Sequence, residues 1–207
     1  MLLFGHIGLT AVVIRAGEVL SSANKPANSL EASQGSWFKS AVVKTCLHHL
    51  LNRIGKQAGA VDYRLVIFGS LLPDIIDKPL WFFSGGAILP SGYGYGHTFL
   101  FNLVLFVIGL ILVRHSKSGL LIISLSSFTH LIWDEIWNVP VTLWWPFLGP
   151  FQKLQTAGWA SHMLGKLFSE PSVYVPELIG LIIVLVIGGR LVARKHFGNF
   201  TRNGAIN

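Results

Sequence analysis

The residues with the strongest chemical signal are His130 and Asp134, four apart in Ser127-Phe-Thr-His-Leu-Ile-Trp-Asp-Glu135. On a helix this spacing brings an imidazole and a carboxylate to one face, where both can meet a single ion. They lie within an apolar stretch, a setting in which ionisable side chains are costly and rarely idle. A structural His–Asp hydrogen bond between helices is the competing reading. Asp74 and Asp77 form a second pair in Leu71-Leu-Pro-Asp-Ile-Ile-Asp-Lys-Pro79, where Pro73 suits a first helical turn. Spacing of three keeps both carboxylates on one side of a helix. Capping and pairing with Lys78 explain one of them more easily than two. His97 follows the flexible, glycine-rich run Ser91-Gly-Tyr-Gly-Tyr-Gly96, and His6 stands in Gly5-His-Ile-Gly8. Glu177 opens an apolar run beside Pro176, where an acid also favours the helix dipole. His162 and Lys166, again four apart, are the catalytic candidates. On a short lid helix Lys166 would pair with a phosphate and His162 would give a proton to a leaving oxygen. A plain interfacial anchor is the alternative for that helix.

The elements that position these residues belong to a membrane protein. Of the 207 residues, 52% are hydrophobic and only 12% charged, against about 25% charged in a soluble domain. The sequence predicts an all-α fold, a polytopic transmembrane helix bundle of about five segments in one domain, residues 1–207. The segments are Phe4–Ile14, Leu65–Phe83, Thr98–Val113, Gly119–Trp137 and Pro176–Val192. The first is short for a bilayer. Leu2-Leu3-Phe4 has no charged residues before it and no small-residue cleavage site near Val13, so it is expected to stay in the mature fold. Between residues 37 and 56, apolar positions at helical spacing oppose Lys39, Lys44, Arg53 and Lys56, which predicts an interfacial amphipathic helix. The single Cys46 excludes an intrachain disulfide and a cysteine metal knuckle.

Orientation follows from the cations. If five segments alternate, thirteen of the sixteen Lys and Arg fall on one side, leaving only Lys78, Lys153 and Lys166 on the other. That asymmetry makes the basic side cytoplasmic. The net charge of +7 then has a topological origin, and nucleic-acid binding is not expected. Six of the nine acids (Asp74, Asp77, Asp134, Glu135, Glu170 and Glu177) gather at the outer ends, together with most of the tryptophans. Ligand-type residues from five segments thus converge at one predicted depth. Imidazole and carboxylate without thiolate suit zinc, manganese or iron, and several carboxylates suit more than one ion.

Gly5-His6, Leu72-Pro-Asp-Ile-Ile-Asp77, Gly96-His97-Thr98, Thr129-His-Leu-Ile-Trp-Asp134 and Leu143-Trp-Trp-Pro-Phe147 resemble the prokaryotic membrane-bound metal-dependent hydrolases. One branch of these is the LexA-regulated inner-membrane hydrolases, and their motifs are similar to those of zinc-dependent phospholipase C. The resemblance implies His6, Asp74, Asp77, His97, His130 and Asp134 as metal ligands, with Glu177 a weaker addition. It also implies a multi-pass protein of the prokaryotic inner membrane. In Gly92-Tyr-Gly-Tyr-Gly-His97 the chain departs from the family's His-Arg-Gly-x-Thr-His pattern and lacks one histidine.

The expected function is hydrolysis of a lipid or lipid-linked phosphoester by a metal-activated water at the extracytoplasmic face. Amide or ester hydrolysis of a lipid is the second choice. A divalent-metal transporter or a metal-dependent structural protein is the reading from a different class. It would favour ionisable residues continuing across the membrane.

Overall fold

The computed structural model describes residues 3–23, 61–115, 117–153 and 165–206, and every regular element among them is helical. The helices are α1 (Leu3–Ala23), α2 (Tyr63–Phe83), α3 (Phe99–Val113), α4 (Gly119–Trp133), α5 (Pro140–Leu143), α6 (Pro171–Ala193) and α7 (Phe197–Asn203). Short 3₁₀ turns at Tyr95–His97 and Ile136–Asn138 precede α3 and follow α4. The amphipathic segment between residues 37 and 56 lies outside the described residues.

Direction alternates along the chain. The start of α1 meets the start of α6, where Glu177 accepts a hydrogen bond from Phe4 N at 3.0 Å. The far end of α1 meets the start of α2, where Tyr63 Oη donates to Glu18 at 2.8 Å. Gly109 of α3 faces Leu121 of α4, and Asn102 faces Ser127, so those two run antiparallel. Arg64, at the start of α2, donates to the Thr201 carbonyl of α7, so the C-terminal helix closes that same basic end.

The bundle is inside-out by the standards of a soluble protein. Its buried side chains are more often polar than apolar, including His6, Thr10, Ser70, Asp77, His97, Asn102, Ser124, Ser126, Ser127 and His130. The apolar residues of α3 and α6, such as Val104, Ile111, Leu178, Ile182 and Leu185, face outward. Lipid supplies no hydrophobic drive between helices, so close backbone contact and interhelical hydrogen bonds hold such a bundle. The glycines at the crossings provide the contact. A Cβ on Gly8 would stand 2.5 Å from the Gly180 carbonyl oxygen, and one on Gly69 would meet Ile123 O at 2.5 Å. A Cβ on Gly180 would overlap the Phe4 carbonyl.

Three expectations change. The first helix runs to Ala23, well past Ile14, because Glu18 one turn further on holds both Tyr63 Oη and Val61 N. Pro73 is not in a first turn: α2 begins ten residues earlier, behind the Asp62 cap, and Pro73 and Pro79 both lie inside it. Interior prolines are tolerated where neighbouring helices satisfy the freed backbone. The fourth segment ends at Trp133, where Glu135 takes a left-handed conformation (φ 49°). By length and composition α6 alone among the described helices is long and apolar enough to cross a membrane. The 21-residue α1 and α2 carry His6, Arg15, Glu18, Asp74, Asp77 and Lys78, which lower their hydropathy. α3 and α4 are apolar but 15 residues long.

The α1–α6 crossing is directly testable. Gly180→Leu is expected to cost roughly 1–3 kcal/mol or more through overpacking, read as a lower thermal midpoint in detergent. Gly188→Leu, with open space around its Cα, should leave the midpoint unchanged.

Candidate metal centre

Two imidazoles are aimed at each other from different elements. His130, in the last turn of α4, has Nδ1 2.6 Å from the Ser70 carbonyl oxygen of α2. That carbonyl lies next to Gly69, whose intrahelical hydrogen bond Pro73 removes. His97 has Nδ1 2.7 Å from Asp77 Oδ2. A carbonyl and a carboxylate both accept, so each Nδ1 carries the proton and each Nε2 presents a lone pair. The two Nε2 atoms stand 3.3 Å apart in a fully buried site. Two lone pairs so placed need something positive between them, a proton or a metal ion.

Two carboxylates complete the group. Asp134 Oδ2 lies 3.4 Å from His130 Nε2 and 3.6 Å from His97 Nε2. Asp74 Oδ1 lies 3.6 Å from His97 Nε2 and 3.8 Å from His130 Nε2. The four ligand atoms all fall within 4.8 Å of one another. Four bonds of about 2.0–2.2 Å in a tetrahedron give edges of about 3.3–3.6 Å, so these spacings fit one four-coordinate divalent ion. Asp74 Oδ1 is buried without a hydrogen-bond donor, an orphan that a cation would satisfy. The cluster can hold a metal ion.

Around it stand residues that orient the ligands. Asp77 accepts from the backbone N–H groups of Gly94 (2.8 Å), Gly96 (2.9 Å) and His97 (3.2 Å) as well as from His97 Nδ1. It therefore stands behind His97, away from the four ligand atoms, in the arrangement typical of metal-bound histidines. The glycine run is not slack: its backbone is drawn down onto Asp77, and a Cβ on Gly96 would meet Pro73 Cα at 2.8 Å. Asn102 ties the run to α3 by donating to the Gly96 and Thr98 carbonyls at 2.9 Å, and Ser127 of α4 donates to Asn102 at 2.6 Å. His6 lies beside the group, stacked on the His130 ring at 3.9 Å, with Nε2 3.1 Å from Asp134 Oδ1.

Not every expected residue joins. Glu177 is engaged with Phe4 N, joining α6 to the first turn of α1. Lys166 sits on a helical stretch at 165–169, next to Leu167 and Phe168, which line an apolar cleft between the starts of α1 and α6. His162 lies outside the described residues. Two further residues reach the site: Lys78, expected as a pairing partner of the Asp74 and Asp77 carboxylates, and Tyr93, which spacing did not single out. Lys78 Nζ is 2.5 Å from Asp74 Oδ2, and the Tyr93 ring packs edge-on against His97 at 4.8 Å. The only sequence signal for Tyr93 is its place four residues before His97.

Electrostatics agrees with the geometry. Burial alone pushes the His97 imidazole down, but its bonds to Asp134 and Asp77 and the charges of Asp77 and Asp74 outweigh this and raise it to about 9. Burial pushes the Tyr93 phenol up, and the charges of Asp134 and Asp74 push it further. The pocket favours positive charge, whether a proton or a metal ion.

Residues 1–197 match the family model described as YdjM inner membrane protein. No curated protein and no solved structure matches the chain.

Two outcomes follow for purified protein assayed by metal analysis. One divalent ion per chain is expected, lost in His130→Ala and Asp134→Ala and retained in His115→Ala, an exposed histidine at the opposite end. Asp77→Asn should weaken affinity about 10–100-fold without abolishing it. Because His97 must give up its proton, metal affinity should rise with pH up to about 9. A profile flat from pH 6 to 9 in equilibrium dialysis would contradict this.

Proposed function

The chain belongs to the YdjM inner membrane protein family, and from that premise and the site geometry we propose a membrane-embedded, metal-dependent hydrolase. It acts on a lipid or lipid-linked phosphoester at the extracytoplasmic face. The observation that carries the reading is the pair of imidazole Nε2 atoms 3.3 Å apart, each oriented by a hydrogen bond at Nδ1. Two imidazoles and two carboxylates at tetrahedral spacing favour zinc, with manganese or iron as the other fits. The bound ion would supply a water acidified toward a pKa of ~7 and a Lewis acid for the phosphoryl oxygen.

The chain's own residues would do the rest. Ser70 and Asp77 hold the imidazoles in the binding tautomer. Asp74 and Asp134 each keep one oxygen for the ion and anchor the other on Lys78 or His6. His6 Nε2, 3.1 Å from Asp134 Oδ1, would hold that carboxylate in place.

A lipid substrate is supported by the surroundings. The apolar cleft bordered by Leu3, Phe4, Leu178 and Phe168 has a volume of about 550 Å³ and begins two residues from His6. Trp137, Trp144, Phe147 and Phe168 stand exposed in segments flanking the site end, as an interfacial belt would. We take α1, α2, α3, α4 and α6 as five spans, since their directions alternate and Arg15, Arg64, Arg190 and Arg194 gather at the opposite end. Lys166 would meet lipid phosphates at this surface.

Metal translocation is the second reading, and one observation favours it. Thr10 and Ser126, one turn deeper than His6 and His130, are fully buried with unpartnered hydroxyls. Neutral hydroxyls are poor ligands for a divalent ion, and this ranks the reading second.

Metal-loaded protein incubated with a total phospholipid extract is expected to release a phosphate-containing or dephosphorylated product detectable by mass spectrometry, and the His130→Ala variant is expected to release none. Full metal occupancy with no change in any lipid would remove hydrolysis and leave translocation. For orientation, in a Cys46→Ser background Phe147→Cys should react with a membrane-impermeant thiol reagent in intact cells and Lys117→Cys should not. The reverse pattern would invert the topology.

A further inference from the structure

Asp74 faces two ways. Its Oδ1 belongs to the four ligand atoms, and its Oδ2 holds the Lys78 ammonium at 2.5 Å. Lys78 is therefore one carboxylate away from the ion-binding position. Its stem runs beside Gly92, where an added Cβ would lie 3.9 Å from Lys78 Cγ. The side chain nevertheless remains 37% exposed, while those of His97 and His130 are fully buried and that of Asp134 is 3% exposed. The opening of the site is thus on the Asp74–Lys78 side.

Lys78 places a donor at this opening. An ammonium has three N–H bonds, and Asp74 takes one. Tyr93, whose ring packs edge-on against His97, brings a phenol beside the ligand group. Asp77, the remaining carboxylate of α2, is turned away and accepts four hydrogen bonds from the 94–97 backbone and His97. A ligand entering past Lys78 meets N–H groups before the position an ion would take, an arrangement that suits an anionic oxygen. A lysine suits it as a mobile point charge that follows a phosphate oxygen without a fixed fork geometry.

We propose that Lys78 and Tyr93 form an anion-binding pair at the mouth of the metal centre and select a phosphate-type oxyanion as the group the site receives. This rests on the metal-centre reading above and adds the ligand chemistry. A lysine serving only to neutralise Asp74 would alter metal affinity and leave anion affinity untouched, so the two roles separate in a binding experiment.

The experiment is calorimetric titration of metal-loaded protein in detergent with inorganic phosphate, and separately with phosphatidic acid dispersed in the same detergent. Metal stoichiometry is measured on every sample. Lys78→Ala is expected to weaken both ligands by about tenfold or more, the loss of one charge-assisted hydrogen bond. Lys78→Arg should restore most of the affinity, and Tyr93→Phe should weaken it severalfold. Tighter binding of phosphatidic acid identifies a lipid headgroup as the source of the oxyanion, and equal affinities identify a soluble phosphate. Both results support the pair. Should Lys78→Ala lose its metal, Tyr93→Phe decides, since it removes a hydroxyl and no charge. Phosphate affinity within about twofold of the parent, in either variant at full metal occupancy, overturns the proposal and leaves the metal centre standing. A parent protein that takes up neither metal nor phosphate overturns both.

Discussion

A carboxylate inside an apolar bundle has to be given donors, and Asp77 is given four. Much of the site end follows from that requirement. To supply three backbone N–H groups, residues 94–97 fold down onto α2, which brings Gly96 so close to Pro73 that only a glycine fits. The fourth donor, His97 Nδ1, turns the other ring nitrogen toward α4. The 3₁₀ turn at Tyr95–His97 then delivers Thr98 as the cap of α3, where its hydroxyl accepts from Phe101 N at 3.1 Å. Asn102, one turn on, takes up the Gly96 and Thr98 carbonyls and reaches Ser127. One buried charge thereby sets the register between α2, α3 and α4, and with it the meeting of His97 and His130.

The same economy governs the bundle as a whole. Its outward faces are apolar, so the helices are held by what lies between them: glycine contacts and a polar interior. The cluster concentrates this principle. Asp74, Asp77 and Asp134 bring negative charge into one small volume, offset by Lys78 at the mouth and by whatever cation the two Nε2 atoms share. A site built this way favours positive charge inside.

Much of this was legible in the sequence, for identifiable reasons. His130 and Asp134 are related by a helical repeat, which survives into the structure even though Asp134 is the residue that ends α4. The convergence of His6, Asp74, His97 and His130 at one end rested on counting Lys and Arg along alternating segments, and in the structure these residues gather at one end of helices that alternate in direction. Spacing of three could not separate Asp74 from Asp77, because which of two neighbouring carboxylates faces a partner depends on the helix's rotation within the bundle. Here Asp74 faces His97 and His130, and Asp77 faces the glycine run. Glu177 was legible as a polar residue at a helix start, and the contact it makes is with Phe4 N, a partner 173 residues away. Lys78 was legible as a pairing partner on α2, and Tyr93 carries no motif. The Lys78–Asp74 pair follows from i,i+4 spacing on α2, whereas the contact of Tyr93 with His97 exists only once the run 91–97 has folded.

The central claim is that two imidazoles and two carboxylates share one ion, and X-ray absorption spectroscopy of the metal-bound protein addresses it most directly. The account predicts a shell of about four nitrogen and oxygen neighbours at roughly 2.0–2.1 Å, with multiple-scattering features of two imidazoles, one of which disappears in His97→Ala. A shell containing sulfur, or one of oxygen atoms alone, would contradict it.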